Sequence, residues 1–150
     1  MFSTEHDACG IGYVARVNGA PSHDIVTMAL EALGNHAHRG ALGGDGKTGD
    51  GAGVSTQLPH QLLQREFARI YPERQLPGPG DLGLGMVFLP LQDAGARTRA
   101  RTTLEESLRA EDLQPLGWRD VPLDLDALGS IARRSRPHIQ QLFVARNGQS

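Results

Sequence analysis

A single cysteine, Cys9, is followed by Gly-Ile-Gly and preceded by only eight residues. A thiol attacks carbonyl carbon as its thiolate, and free cysteine ionises near pH ~8.5, so it needs an activating neighbour. By itself such a residue reads more readily as a small buried hydrophobe than as a nucleophile. Its setting adds the missing base. With Met1–Ala8 removed, Cys9 would carry a free α-amino group, whose ordinary pKa of about 7.7–8.0 suits proton transfer near neutrality. One residue would then supply nucleophile and base together.

Two other groups of residues invite a chemical reading. Half of the residues from Gly40 to Gly53 are glycine, and Gly46-Lys47-Thr48 resembles the tail of a phosphate-binding loop. The first glycine of that motif would fall at position 41, which is Ala41. Such a loop also needs a strand before it and a helix after it. Here the periodicity gives a helix before, and Thr48-Gly49-Asp50-Gly51-Ala52-Gly53 cannot continue as a helix. Gly44-x-Gly46-x-x-Gly49 fits the dinucleotide spacing but fails for the same reason. The loop is therefore expected to be structural or part of an active site. His23, His36, His38 and His60 have no cysteine or carboxylate at zinc spacing, so they read as solvated or hydrogen-bonded histidines, and no metal site is expected.

Composition narrows the function classes. Formal net charge is −2, which gives no basis for a nucleic-acid or membrane-surface partner. One cysteine excludes an internal disulfide and suits a reducing compartment. No apolar run reaches the ~18 residues of a membrane span. The start, Met-Phe-Ser-Thr-Glu-His-Asp-Ala-Cys, has neither the basic end nor the apolar stretch of a secretory signal, so a cytoplasmic location is expected. Hydrophobic residues at 39% and charged residues at 21% fit an ordinary globular domain of 150 residues.

The elements that must position these residues follow from periodicity. Gly10 to Val17 alternates as a strand, with Cys9, Ile11, Tyr13, Ala15 and Val17 on one face. Gly10 and Gly12 fall on the other face, where a missing side chain admits close approach. Ser22 is placed to cap a helix carrying Ile25, Met28, Ala29, Ala32 and Leu33 inward, with Gly34 as its stop. Val54, Thr56 and Leu58 alternate as a short strand. Leu62 to Ile70 predicts a second helix ended by Pro72, and Gly83 to Leu89 a buried strand closed by Pro90. A third helix spans Ala94 to Ala110 with Ala96, Ala100, Leu104 and Leu108 inward. Extended chain surrounds Leu116-Gly117-Trp118. Asp124 or Asp126 caps a short helix through Leu128 and Ile131, and Ile139 to Ala145 forms a last strand. No repeat or linker interrupts this order. Strands and helices mix throughout, and alternation alone favours a parallel, doubly wound sheet.

Several segments together resemble a known family. They are Cys9-Gly10-Ile11-Gly12-Tyr13-Val14-Ala15, Pro21-Ser22-His23, His38-Arg39-Gly40-Ala41 and Thr48-Gly49-Asp50-Gly51-Ala52-Gly53-Val54. Gly83-Leu84-Gly85-Met86-Val87-Phe88-Leu89-Pro90 and Leu116-Gly117-Trp118-Arg119-Asp120-Val121-Pro122 continue the series. In this order they resemble the start of the glutamate synthase large chains. Cys-Gly followed by His-Arg-Gly is shared by class II glutamine amidotransferases in general. The Thr-Gly-Asp-Gly-Ala-Gly and Gly-Trp-Arg-Asp-Val-Pro segments point to the synthases within that group.

The resemblance implies an α+β fold, the N-terminal-nucleophile hydrolase αββα sandwich with antiparallel sheets, of which this is the N-terminal part only. It implies residues 1–8 as a propeptide and 9–150 as a partial glutamine amidotransferase domain. Cys9 would attack the side-chain amide of glutamine, and Arg39, Gly40, Asp50 and Gly51 would form an active-site loop. A thioester would release ammonia, which passes on to 2-oxoglutarate in the full enzyme. FMN and an iron–sulfur cluster are implied for that full enzyme and none for this segment. Its implied partners are glutamine, the remainder of the synthase chain and a small electron-donating subunit. The alternatives are another class II amidotransferase, which would lack the Gly43–Thr48 insertion, and a non-catalytic truncated scaffold.

In the family, an Asn-Gly oxyanion hole and an arginine that grips the substrate carboxylate lie in later segments, which have no match within these 150 residues. Losing even one oxyanion donor typically costs about 10²–10³ in rate. The purified 150-residue chain is therefore expected to release no ammonia from glutamine and to be poorly soluble or associated. A soluble monomer turning over at a full enzyme's rate would contradict this.

Overall fold

Between Leu58 and Arg146 the aliphatic and aromatic residues recur at helix and strand spacings, and all of the buried apolar side chains described lie in this stretch. A computed structural model describes residues 10–37 and 40–146. The chain divides into two units, residues 1–57 with 126–134 and residues 58–125 with 135–150, where the sequence reads as one uninterrupted domain.

The second unit holds the sheet. Helix α2 (His60–Ile70) stops before Pro72, which cannot continue it, and buries Leu63 and Phe67, four residues apart on one stripe. Strand β1 (Leu82–Leu89) ends at Pro90 as expected. Helix α3 (Ala94–Ala110) starts on Asp93, whose Oδ1 accepts from the Ala96 N–H at 2.8 Å. Strands β2 (Leu113–Asp120) and β3 (His138–Arg146) complete a three-stranded sheet of order β1-β3-β2. Both pairings are antiparallel, with Leu84 opposite Phe143 and Trp118 opposite Leu142.

This corrects the parallel sheet that alternation suggests, and the reason is specific. Since β1 and β2 each run against β3, they run parallel to one another and are joined through α3. The strand–helix–strand signal was therefore real. A strand from much later in the chain fills the gap between its two strands, as in a split βαβ arrangement.

Both faces of β3 are covered, so consecutive residues Leu142 and Phe143 are buried. On one face Phe143, at 0% exposure, packs with Phe67, Leu63, Leu82, Leu116 and Ala145. The Phe67 and Phe143 rings meet edge-on, with centroids 5.1 Å apart at 72°. Glu66 of α2 accepts from Arg119 Nε and Nη2 at 3.2 and 3.0 Å, while Arg119 Nη1 donates to Gln141 Oε1 at 2.6 Å. Hydrogen bonds from Arg119, then from Arg69, hold the Glu66 carboxyl below its ordinary range. On the other face Trp118 Nε1 donates to Glu105 of α3 at 2.7 Å, the main cause of that carboxyl's lowered pKa. The Arg101 guanidinium lies 4.7 Å from the Trp118 ring centroid. Arg101, Leu104 and Leu108 thus line the inner side of α3, whereas Ala100, expected inward, is exposed.

A bulge interrupts β2 between Pro115 and Gly117. The Tyr71 hydroxyl accepts from the Trp118 N–H and donates to the Trp118 carbonyl, both at 2.8 Å. Gly117 makes room for that ring. Its φ is +156°, and a Cβ there would stand 2.5 Å from Tyr71 Cζ.

The first unit is described by itself. Helix α1 (His23–Asn35) starts as expected, with Ser22 Oγ accepting from the Asp24 N–H at 3.3 Å, and runs one residue past Gly34. Its half-buried stripe is Ile25, Val26, Ala29, Ala32 and Leu33, while Met28 is 51% exposed. Residues 10–16 and 51–56 have no regular structure, against the strands expected over Gly10–Val17 and from Val54 to Leu58. Alternation supplies two faces but not a neighbour, and a strand exists only where another backbone meets its N–H and C=O groups. Ile11 and Tyr13 are correspondingly 97% and 96% exposed. Helix α4 (Ser130–Ser135), which apart from Ser135 belongs to this unit, begins after Leu128 rather than running through it. Among the described residues no helix is long and apolar enough to cross a membrane.

Tyr71→Phe keeps the ring and deletes the hydroxyl from the Trp118 backbone. It is expected to lower unfolding stability by about 1–3 kcal/mol, read as an earlier urea midpoint. Gly117→Ala should lower the midpoint as well, because its methyl group displaces the Tyr71 ring; unchanged midpoints in both variants would refute this account of the bulge.

Candidate functional site

The glycine-rich loop gets its shape from one carboxylate. Asp45 Oδ1 accepts from the backbone N–H groups of Lys47 and Thr48 at 3.1 and 2.8 Å, the self-bonding turn that aspartate favours. Its Oδ2 accepts from Thr48 Oγ1 at 2.7 Å. The Gly43 N–H donates to the Thr48 carbonyl at 2.6 Å, and the Gly46 N–H to the Gly43 carbonyl at 2.9 Å. Gly46 has φ +66°, a left-handed turn position where glycine carries no steric penalty. A bridge between Leu42 and Gly49 closes the base of the turn.

The same carboxylate reaches across its unit. Asp45 Oδ2 also accepts from the Ile131 N–H at 2.9 Å and from Ser130 Oγ at 3.2 Å. Thr48 Oγ1 accepts from the Ala132 N–H at 3.2 Å, and Lys47 Nζ donates to the Asp126 carbonyl at 2.6 Å. These bonds cap the start of α4, where Asp124 or Asp126 was expected to do so. The donors that a short helix leaves unsatisfied at its start are met from a loop more than eighty residues away. Gly129 is buried beneath this junction. A Cβ on it would collide with Thr48 Oγ1 and stand 2.7 Å from Asp45 Oδ2. Donation first from Ile131, then from Thr48, holds the Asp45 carboxyl well below the usual carboxylate range.

This arrangement bears on the phosphate reading of Gly46-Lys47-Thr48. The amides of Lys47 and Thr48 are turned onto Asp45, and the Lys47 ammonium onto a carbonyl. The groups that would cradle a phosphate already serve an internal anion.

Of the residues singled out by sequence, Cys9 and Arg39 lie outside the described residues, as do Met1–Ala8 and His38. Gly40, Asp50 and Gly51 are described. The Gly40 N–H donates to the Ala37 carbonyl at 3.3 Å. Asp50 Oδ2 accepts from the Ala41 N–H at 2.9 Å, tying the far limb of the loop to the residue two after position 39. Gly51 has φ +97°, which favours glycine. Gly10 meets the His36 ring, since a Cβ on it would lie 2.8 Å from His36 Cδ2. His36 Nδ1 is fixed as a donor by the Ala32 carbonyl at 2.7 Å, so the end of α1 abuts the residue that follows Cys9. His60 Nε2 likewise bonds the Pro77 carbonyl at 2.7 Å. Among the described residues no three His, Cys, Asp or Glu side chains gather as a metal-ligand set. Sequence reasoning missed Asp45, Thr48, Ser130 and Gly129. The local signal was an aspartate two and three residues before Lys-Thr in a glycine turn; the distant half had none.

Comparisons with known proteins agree with one another. Residues 9–150 match the family model of the class-II glutamine amidotransferases. The chain is 49% identical over 142 residues to ferredoxin-dependent glutamate synthase 2 of Synechocystis sp., covering 93% of this chain and 9% of that protein. It is 37% identical over 143 residues to the glutamate synthase [NADPH] large chain of Azospirillum brasilense, covering 95% of this chain and 9% of the other. Against glutamate synthase [NADH] of Saccharomyces cerevisiae it is 39% identical over 140 residues, 91% of this chain and 6% of the relative. The chain thus spans under a tenth of the length of these relatives.

Because the folded-state pKa of Asp45 lies below its unfolded value, this carboxyl stabilises the fold fully above pH ~4. That contribution falls away as the pH drops through the ordinary carboxylate range towards the folded-state value. Asp45→Asn cannot titrate, so its loss of thermal stability between pH 6 and pH 3 is expected to be shallower than that of the unmodified chain. Parallel curves would show that Asp45 is not the group responsible.

Proposed function

The chain belongs to the class II glutamine amidotransferases, and we propose that it forms the N-terminal part of the glutaminase domain of a glutamate synthase. The observation that carries this is the extent of the match, from Cys9 to residue 150, together with relatives that are themselves glutamate synthases. In this reading residues 1–8 are a propeptide and residues 9–150 begin an N-terminal-nucleophile αββα domain. The antiparallel sheet supports that fold, and so do the exposed Ile11, Tyr13 and Val17, which further strands of the longer chain would cover.

Cleavage before Cys9 frees its α-amino group. That amine takes the thiol proton, and the thiolate attacks the side-chain amide carbon of glutamine. The C–N bond then breaks, the proton passes to the leaving nitrogen, and ammonia departs from a thioester on Cys9. Water, deprotonated by the same amine, attacks the thioester and releases glutamate and the thiol. Arg39 and the Gly40–Gly53 loop, with Asp50 and Gly51, shape the site that receives the substrate. Arg39 suits a carboxylate because its planar fork can donate two parallel hydrogen bonds.

Ammonia passes on to 2-oxoglutarate in the complete enzyme, served there by FMN, an iron–sulfur cluster and a small electron-donating subunit. The donor set of this segment does not fit the cluster, because an iron–sulfur cluster is held by several thiolates and the chain has one cysteine, so no step here runs through it. Neither a nucleic acid nor a membrane enters the reading, which suits a cytoplasmic enzyme.

In the complete synthase chain, Cys9→Ser is expected to abolish ammonia release from glutamine, since a hydroxyl is a far poorer nucleophile at neutral pH. Intact mass of the active enzyme should lack Met1–Ala8. Near-normal activity in the serine variant, or full activity with Met1 retained, would overturn the assignment of Cys9 and of its free amine respectively.

A further inference from the structure

We infer that Asp45 is a positioning residue for glutamine binding, acting by holding the Gly40–Gly53 loop in its working shape before substrate arrives. The inference rests on the glutaminase reading and adds to it a residue that does not itself touch the substrate. Three observations carry it. The loop is half glycine, so its backbone loses more freedom on ordering than an ordinary segment does. Its base is closed by the Leu42–Gly49 bridge and by Asp50 on the Ala41 N–H, which fixes the backbone at the start of the loop. Its tip is joined to residues 126–134 chiefly at Asp45, where one carboxylate gathers donors from Lys47, Thr48, Ser130 and Ile131, beside a single bond from Lys47 Nζ to the Asp126 carbonyl.

Thr48 works in series with Asp45, donating to it and accepting from the Ala132 N–H. Gly129 permits the approach of both segments, because any side chain there would occupy the place of the Thr48 hydroxyl. A loop held this way is ordered on folding, so glutamine need not order it on binding. Release of the tip therefore weakens substrate binding and leaves the nucleophile alone. The signature is a rise in KM, with kcat and the intrinsic reactivity of the Cys9 thiol little changed.

The test uses the complete synthase chain and four variants: Asp45→Ala, Thr48→Val, Thr48→Ser and Cys9→Ser. Glutaminase kinetics are measured beside the rate at which iodoacetamide, a small neutral electrophile, alkylates Cys9. Asp45→Ala and Thr48→Val are expected to raise KM for glutamine at least about tenfold, the scale of losing pre-organisation in a few residues. Their kcat and alkylation rates should stay within about twofold of the parent. Thr48→Ser retains the hydroxyl and should retain the parent KM. A parent-like KM in Asp45→Ala and Thr48→Val overturns the inference. So does a loss of alkylation that matches the loss of turnover, which marks a general collapse of the unit. If Asp45→Ala does not fold, the comparison of Thr48→Val with Thr48→Ser decides. Cys9→Ser separates the two levels: activity in that variant removes the glutaminase reading itself, whereas an inactive Cys9→Ser beside an unaffected Asp45→Ala removes only the role of Asp45.

Discussion

The sheet closes only through its last strand. Among the described residues β1 and β2 do not pair with each other, and every ladder bond of the second unit passes through β3 at residues 138–146. The partners of β3 lie about twenty to sixty residues earlier, so the entropy of closing those loops precedes any pairing. The reward is concentrated in two adjacent residues. Phe143 fills the side under α2 and Leu142 the opposite side, so one strand joins two layers of packing. The β2 bulge sits within this constraint: Leu116 still reaches the Phe143 side, while Gly117 yields its place to the Tyr71 ring.

The two units hold together by different physics. Among its described residues the second has nine buried apolar side chains and follows the usual order, in which burial organises the polar contacts at its margins. Among the described residues of the first unit no apolar side chain is buried, and Ile11, Tyr13, Val17, Met28 and Leu30 are all exposed. The contacts that join its glycine-rich loop to residues 126–134 are largely polar and centred on Asp45. An ionised carboxylate surrounded by donors gives direction and register but little of the nonspecific drive of a hydrophobic core. In the proposed reading that drive comes from the further strands of the longer domain, which would turn the half-buried stripe of α1 inward.

How much was legible in the sequence follows the same division. α2, α3, β1 and β3 were readable because proline stops and apolar spacing are local signals, and burial in one core organised each of them. The extended chain over Gly10–Val17 carried as clear an alternation, yet formed no strand, since pairing is a property of two segments. The antiparallel sheet direction came from the resemblance and not from alternation, for a related reason: alternation reports β1, α3 and β2, and says nothing of a strand inserted later. Arg101 in place of Ala100 shows a third limit. Hydrophobicity alone places alanine inward, but a guanidinium over the Trp118 face, with Glu105 on the indole N–H, makes a better lining for that surface. Cys9 was singled out through its neighbours and through the resemblance of the whole chain, and it lies outside the described residues.

The Gly46-Lys47-Thr48 turn carries this further, because it has the parts of an anion site and serves a different purpose. Successive amides converge, a lysine stands beside them and glycine gives access, which are the ingredients of a phosphate nest. Asp45 enters that nest from within the same turn, so the amides meet a carboxylate that the chain supplies itself. An external anion would have to displace a group whose depressed pKa reports how strongly its charged form is held. The loop therefore offers shape and little positive field at its tip. Glutamine presents a carboxylate to any site that receives it, and in the proposed domain the charge that meets it has to come from beside the loop or beyond it. Asp50 anchors the limb at Ala41, so in the proposed reading the geometry of that limb, rather than any charge on the turn, is what this loop can contribute to recognition.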